Sequence, residues 1–238
     1  MPEDKVKGLK KYLVEKVKND ENFAKEFVTF VARLASLASV PENMRIFSEN
    51  AAMIGWFSTS ESFLSEMKKA FDQGQESLDQ YMISEIDSNY DKIKSSILSL
   101  HSDRKDILTC AFELHECKNW IASIPLFLAQ TDGVFSDNVG AFLFSEHARR
   151  KEKLAERFRD KADQYMPYLY SPFEVETQFS SSIGSKSQAK KKNGPNRNGI
   201  LHGSKKHLDY GSKINSYKCI SLLSYVSMVF ADLEANKI

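Results

Sequence analysis

Arg197 and His202 stand with four residues between them in the segment Pro195-Asn196-Arg197-Asn198-Gly199-Ile200-Leu201-His202-Gly203. These two residue types suit work on a phosphate ester. Imidazole titrates near neutrality and can take or give a proton. Guanidinium stays charged and can grip phosphate oxygens as negative charge grows on them. On a helix, Asn198 and His202 share a face, so Asn198 is placed to hold the imidazole in one orientation. Arg197 projects about 140° away from His202 on an ideal helix. Its side chain must therefore curl back, or serve the same site in a neighbouring copy. The surroundings suit an anion. From Lys186 to Lys213 the chain carries eight basic residues against a single acidic one, Asp209. Lys190, Lys191, Lys192, Lys205 and Lys206 are the candidate phosphate contacts. His207 and Tyr210 offer rings on which a base can stack. The plainer reading of Lys190 to Lys192 is a solvated loop, and that of a histidine before glycine is a helix end.

With these flanks, the segment resembles the HEPN superfamily (higher eukaryotes and prokaryotes nucleotide-binding domains). Its helical bundles often carry an Arg-x(4–6)-His motif with a polar residue, commonly Asn, after the arginine; Arg197, Asn198 and His202 match those positions. The chain is also similar to a group of bacterial proteins in which a Gln-Thr-Asp-Gly-like turn ends an earlier helix. Here that element is Gln130-Thr131-Asp132-Gly133. The resemblance covers residues 101 to 235. It implies a metal-independent endoribonuclease that needs no cofactor and acts as a dimer bringing two motifs together. RNA supplies its own nucleophile, the 2′-hydroxyl. Arg197 would stabilise the phosphate, His202 would transfer the proton, Asn198 would position His202, and Asp132 would help order the site across the bundle. A toxin or antiviral effector is the biological setting so implied, with RNA, a second copy and an antitoxin or regulatory protein as partners. The alternative is a non-catalytic module that holds RNA, a nucleotide or a partner protein at the same basic site.

The elements that must carry this site are helical. Apolar residues recur at 3.6-residue spacing throughout and period-two alternation is hard to find, which predicts an all-α helical bundle. Val6, Leu9, Leu13 and Val17 form one stripe, and Phe23, Phe27, Phe30, Leu34 and Leu37 a second, with a third helix starting near Pro41. Ser60 is a candidate cap for a helix carrying Leu64, Met67 and Phe71, which Gly74 interrupts. Met82, Ile86, Tyr90, Ile93, Ile97 and Leu100 continue the pattern. Ile107, Cys110, Leu114, Cys117, Ile121, Ile124 and Leu128 repeat at alternating spacings of three and four, which predicts one long seam begun by Ser102 and ended by Gly133. Pro125 should kink it. A charged helix is expected over 138–166, with Arg149 and Arg150 on its exposed side. A mobile basic loop follows near 171–196, then a terminal helix from about Ser212. The expected organisation is an N-terminal helical region, 1–100, and a HEPN-like bundle, 101–238, joined at Ser99 to Asp103, with one continuous fold as the alternative.

Composition narrows the alternatives. A chain of 238 residues can bury a substantial core, and a formal net charge of +1 gives no global pull toward nucleic acid or membrane. Three cysteines are too few and odd in number for a disulfide framework, and Cys110 and Cys117 read as buried thiols. His115-Glu116-Cys117 lacks metal-ligand spacing, and no metal site is expected. Trp56 and Trp120 read as packing anchors. No signal peptide or membrane-spanning run is visible, so the expected location is the cytoplasm.

Overall fold

The computed structural model describes residues 12, 14–25, 27–28, 40–144, 147–158, 169–181 and 194–235. Every regular element among them is helical and none is a strand, so the chain is all-α. It divides into two compact units, Met1–Met44 and Arg45–Ile238. In the first unit, Asp20 accepts the Phe23 amide at 2.9 Å and starts a helical run. Phe23 and Phe27, one turn apart, stack at 5.9 Å. Val6, Leu9, Leu13, Phe30, Leu34 and Leu37 lie outside the described residues.

Helix α1 (Val40–Met53) contains the division between the units. In the second unit follow α2 (Leu64–Asp72), α3 (Gln75–Ser88), α4 (Tyr90–Leu100), α5 (Lys105–Glu116) and α6 (Trp120–Val139). Helices α7 (His147–Phe158), α8 (Arg197–Leu201) and α9 (Lys213–Ala235) follow. Short 3-10 turns occur at Ser102–Arg104, Ser171–Phe173 and Lys205–His207.

Helix α9 is buried on every side from Asn215 to Ser227, which makes it the centre of the bundle; its one charge there, Lys218, donates to the Ile54 carbonyl at 2.7 Å and to Gln178 at 3.0 Å. Two of its buried serines return their protons to the helix. Ser221 donates to the Lys218 carbonyl and Ser227 to the Leu223 carbonyl, each at 2.8 Å. Helices α3, α4 and α6 all pack on α9. Residues 64–100 therefore belong to the same unit as 101–235, and the structural division comes at Met44/Arg45 rather than near residue 100.

The seam expected over 107–128 is two helices in a different register. The buried positions of α5 are Leu108, Ala111, Phe112 and His115, while Ile107 and both Cys110 and Cys117 are exposed. The break is a helix-ending turn at Cys117–Asn119. Lys118 sits in the left-handed region at φ 59°, its amide bonds the His115 carbonyl at 2.9 Å, and the Asn119 amide bonds the Leu114 carbonyl at 2.8 Å. Ser102 opens a 3-10 turn instead of capping α5.

Helix α6 runs through Gly133 and ends at Gly140, whose φ of 75° suits the left-handed cap. Gly133 is instead a close-approach position: a Cβ there would lie 2.8 Å from Nη1 of Arg104. Pro125, which lacks an amide proton, frees the carbonyl four residues earlier. That carbonyl, Ile121, accepts the Tyr210 hydroxyl at 3.0 Å, so the proline becomes a docking point for the chain before α9.

The charged helix, expected from 138, is described over His147–Phe158, since residues up to Val139 belong to α6; its expected end at 166 lies outside the described residues. Arg149 is exposed, but Arg150 is buried, donating to the carbonyls of Phe173 at 2.8 Å and Leu143 at 2.7 Å. Nor is 171–181 a loose loop. Phe173 stacks on Phe230 and meets Phe135 edge-on, and Phe179 is fully buried. Residues 182–193, including Lys186, Lys190, Lys191 and Lys192, lie outside the described residues.

The burial of His115 has a measurable consequence. At 7% exposure, desolvation lowers its pKa from 6.5 to about 4. An unfolded chain binds this proton near pH 6.5, so on acidification the unfolded state is protonated first. Stability from this group is full above that pH and is lost between 6.5 and about 4, by about 3 kcal/mol in all. Denaturant titrations of wild type and His115→Gln at neutral pH and at pH 4 should show a steeper loss in the wild type by this amount. Equal losses in the two proteins would refute the assignment.

Candidate functional site

Five residues are too few for a helix to hold itself, since forming the first turn is costly. Helix α8 persists because both its ends are closed. Asn196 caps the start: its Oδ1 accepts the Gly199 amide at 2.8 Å. Its Nδ2 donates to the Ser181 carbonyl at 2.7 Å and Ser181 Oγ at 3.0 Å, tying α8 to the preceding buried segment. The Arg197 amide adds a bond to the Phe179 carbonyl at 3.0 Å. At the other end Gly203 takes φ 61°, the Gly203 amide reaches the Ile200 carbonyl at 3.1 Å, and the Ser204 amide reaches the Gly199 carbonyl at 2.8 Å. Gly199 is required for another reason: a Cβ there would sit 2.2 Å from Cδ2 of His207.

Three of the flanking residues that drew attention to the segment are thus explained by how it folds. Asn196 caps, Gly199 makes room and Gly203 turns the chain. Asn196 is 1% exposed, and its capping role is what the spacing of Arg197 and His202 does not reveal. An Asn-to-helix-start pattern was the signal available. Asn196→Ala should cost about 2 kcal/mol, combining a lost cap with orphaned buried partners. A denaturation midpoint shifted by less than a quarter of this would show that the cap is not what holds α8.

Arg197, at the first position of α8, points to α6. Its Nη2 lies 3.3 Å from Oδ2 of Asp132 and its Nη1 donates to Asn198 Oδ1 at 3.1 Å. Its Nε is buried with no partner among the described residues. Asp132 is 4% exposed and its other oxygen accepts the Phe144 amide at 3.2 Å. Desolvation raises the Asp132 carboxyl above the usual aspartate value, opposed by the Phe144 amide and the Arg197 charge. The structure therefore brings Asp132, Arg197 and Asn198 together.

His202 sits elsewhere on the same element. It is the residue that ends α8, its amide bonds the Asn198 carbonyl at 3.1 Å, and its ring is exposed with no hydrogen-bond partner among the described residues. The side chain of Asn198 is engaged by Arg197, so it positions the guanidinium rather than the imidazole. Lys205 and Lys206 follow on an exposed 3-10 turn. His207 is buried against Gly199, which removes it as a stacking platform, and its Nε2 has no partner among the described residues. Lys213 is committed elsewhere, 3.7 Å from Asp87. In the Gln130–Gly133 element, Gln130 accepts from Arg104 at 3.0 Å, and Thr131 returns its proton to the Phe127 carbonyl at 2.7 Å.

Among the described residues, no group of three or more His, Cys, Asp or Glu gathers as metal ligands would. No described helix is long and apolar enough to cross a membrane. No protein-family model matches the chain, and no curated protein or solved structure matches it either.

Proposed function

We propose that the chain is a metal-independent endoribonuclease of HEPN type, with Arg197 and His202 as its working residues. The observation that carries this reading is the local architecture of α8. A five-residue helix capped at both ends presents an exposed imidazole, with no hydrogen-bond partner among the described residues, just beyond an arginine anchored from a second helix. In the proposed reaction, His202 takes the proton of the RNA 2′-hydroxyl as that oxygen attacks phosphorus. The bond from phosphorus to the 5′-oxygen breaks, and the 5′-oxygen leaves with a proton from the imidazole of a second copy. The products are a 2′,3′-cyclic phosphate and a 5′-hydroxyl. Arg197 stabilises the charge on the phosphate oxygens, while Lys205 and Lys206 bind the backbone on either side. Asp132 and Asn198 hold the guanidinium in place. The biological setting that fits is a toxin or antiviral effector working in the cytoplasm, as a homodimer restrained by an antitoxin or regulatory protein.

One observation favours a non-catalytic module binding RNA, a nucleotide or a partner protein: the Arg197 guanidinium already has a carboxylate and an amide for partners. Incubating a mixed RNA pool with the protein in EDTA, and measuring RNA retention alongside, separates the two. Products ending in cyclic phosphate support the ribonuclease. Retention of intact RNA supports the binding module and overturns the catalytic reading.

A further inference from the structure

A cavity of about 530 Å³ opens where the ends of α3 to α6 meet the start of α9, and neither Arg197 nor His202 lines it. Its volume lies within the range of sites for small ligands. Its walls are aromatic. The Tyr90 ring stacks on His115 at 5.6 Å, Tyr217 meets His115 edge-on at 4.9 Å, and Trp120 lines another side.

The two carboxylates on the wall are already matched. Glu116 accepts from Lys94 at 2.6 Å and from the Tyr90 hydroxyl at 3.1 Å. Asp87 accepts the Tyr217 hydroxyl and lies 3.7 Å from the Lys213 ammonium. Each acid therefore has one lysine and one phenol. These contacts push both tyrosines above their usual range, with burial the larger cause, so both phenols keep their protons near neutrality.

Two groups on the wall are left over. Lys118 is exposed and its ammonium has no partner among the described residues. The second is the outer nitrogen of His115. Three bonds fix its state: Ser123 Oγ to the Trp120 carbonyl at 3.4 Å, Ser123 Oγ to Ser216 Oγ at 3.2 Å, and Ser216 Oγ to His115 Nδ1 at 2.7 Å. The carbonyl can only accept, so Ser123 donates to it. Ser216 must then donate to Ser123, and His115 Nδ1–H to Ser216. Nε2, which has no hydrogen-bond partner among the described residues, is left as an acceptor in a neutral ring.

We propose that this cavity binds a planar aromatic monoanion carrying a hydroxyl or N–H on its ring. The anionic group pairs with Lys118, the ring lies among Tyr90, Trp120 and Tyr217, and the ring donor reaches Nε2 of His115. This site is independent of the ribonuclease reading.

The test is calorimetric titration of the whole chain at neutral pH with 4-hydroxybenzoate, benzoate and phenol. Benzoate lacks the donor and phenol lacks the charge. 4-Hydroxybenzoate should bind saturably and about tenfold more tightly than either. Lys118→Gly is a suitable variant, because glycine accepts the φ of 59° that Lys118 adopts. In that variant the preference for 4-hydroxybenzoate over phenol should vanish, while the preference over benzoate persists. Absence of saturable binding of 4-hydroxybenzoate to about 10 mM, or equal affinity in wild type and Lys118→Gly, would overturn the proposal.

Discussion

His202→Ala is expected to slow RNA cleavage about 100- to 10,000-fold, the usual contribution of a positioned general acid or base. Its melting temperature should stay within about 2 °C of the wild type. The two halves of this expectation rest on the same fact. The imidazole is exposed and makes no hydrogen bond among the described residues, so its removal leaves no buried group unsatisfied. The end of α8 does not depend on it either, since the closing turn belongs to Gly203 and Ser204. A structural histidine would show the reverse pattern, a loss of stability with activity lost in proportion. Single-turnover cleavage in EDTA, with thermal melts of both proteins, distinguishes these outcomes. Undiminished cleavage by a folded His202→Ala protein would remove His202 from the mechanism.

The all-α class was legible because it is a local property: 3.6-residue periodicity needs only neighbouring residues to reveal it. The same local signal left the register of α5 undetermined. Ile107, Cys110 and Leu114 make a helical stripe, and so do Leu108, Phe112 and His115 beside them. The second is buried because Ser216, far along the chain, supplies the hydrogen bond that makes a histidine tolerable there. The end of α5 was hidden for a related reason, since the left-handed position is held by Lys118 with no glycine to mark it. Gly133 misled in the other direction. It is a helix-interior glycine because the Arg104 guanidinium lies over it, a tertiary fact with no trace in the adjacent sequence. At the candidate site, the types and spacing of Arg197, Asn198 and His202 were visible, and so was Asp132 across the bundle. What was not visible was which way each side chain turns. Asn198 could be placed on a face with His202, but the nearer guanidinium engages it. The aromatic cavity was out of reach altogether, because its residues come from five helix ends.

Arg197→Ala, by contrast with His202→Ala, should cost about 3–4 kcal/mol of stability, because it strands a buried carboxylate. Asp132 would keep only backbone amide bonds, from Phe144 and Leu143, and its carboxyl would rise further and take up a proton more readily. Loss of cleavage in this variant therefore has two possible sources, the missing phosphate contact and a loosened α8. Asp132→Asn separates them by removing the charge while keeping the shape. In the Arg197→Ala/Asp132→Asn double variant no buried charge is stranded, so it should be more stable than Arg197→Ala alone, with a coupling of about 1–3 kcal/mol between the sites. Asp132→Asn alone should retain cleavage within about tenfold, since Asn198 still holds the guanidinium and one hydrogen bond of about 1 kcal/mol is lost. Denaturant titrations and cleavage assays of all four proteins complete the cycle. A double variant that folds well and does not cleave assigns Arg197 to the phosphate. A double variant that cleaves as well as Asp132→Asn makes Arg197 only the pin that fastens α8 to α6.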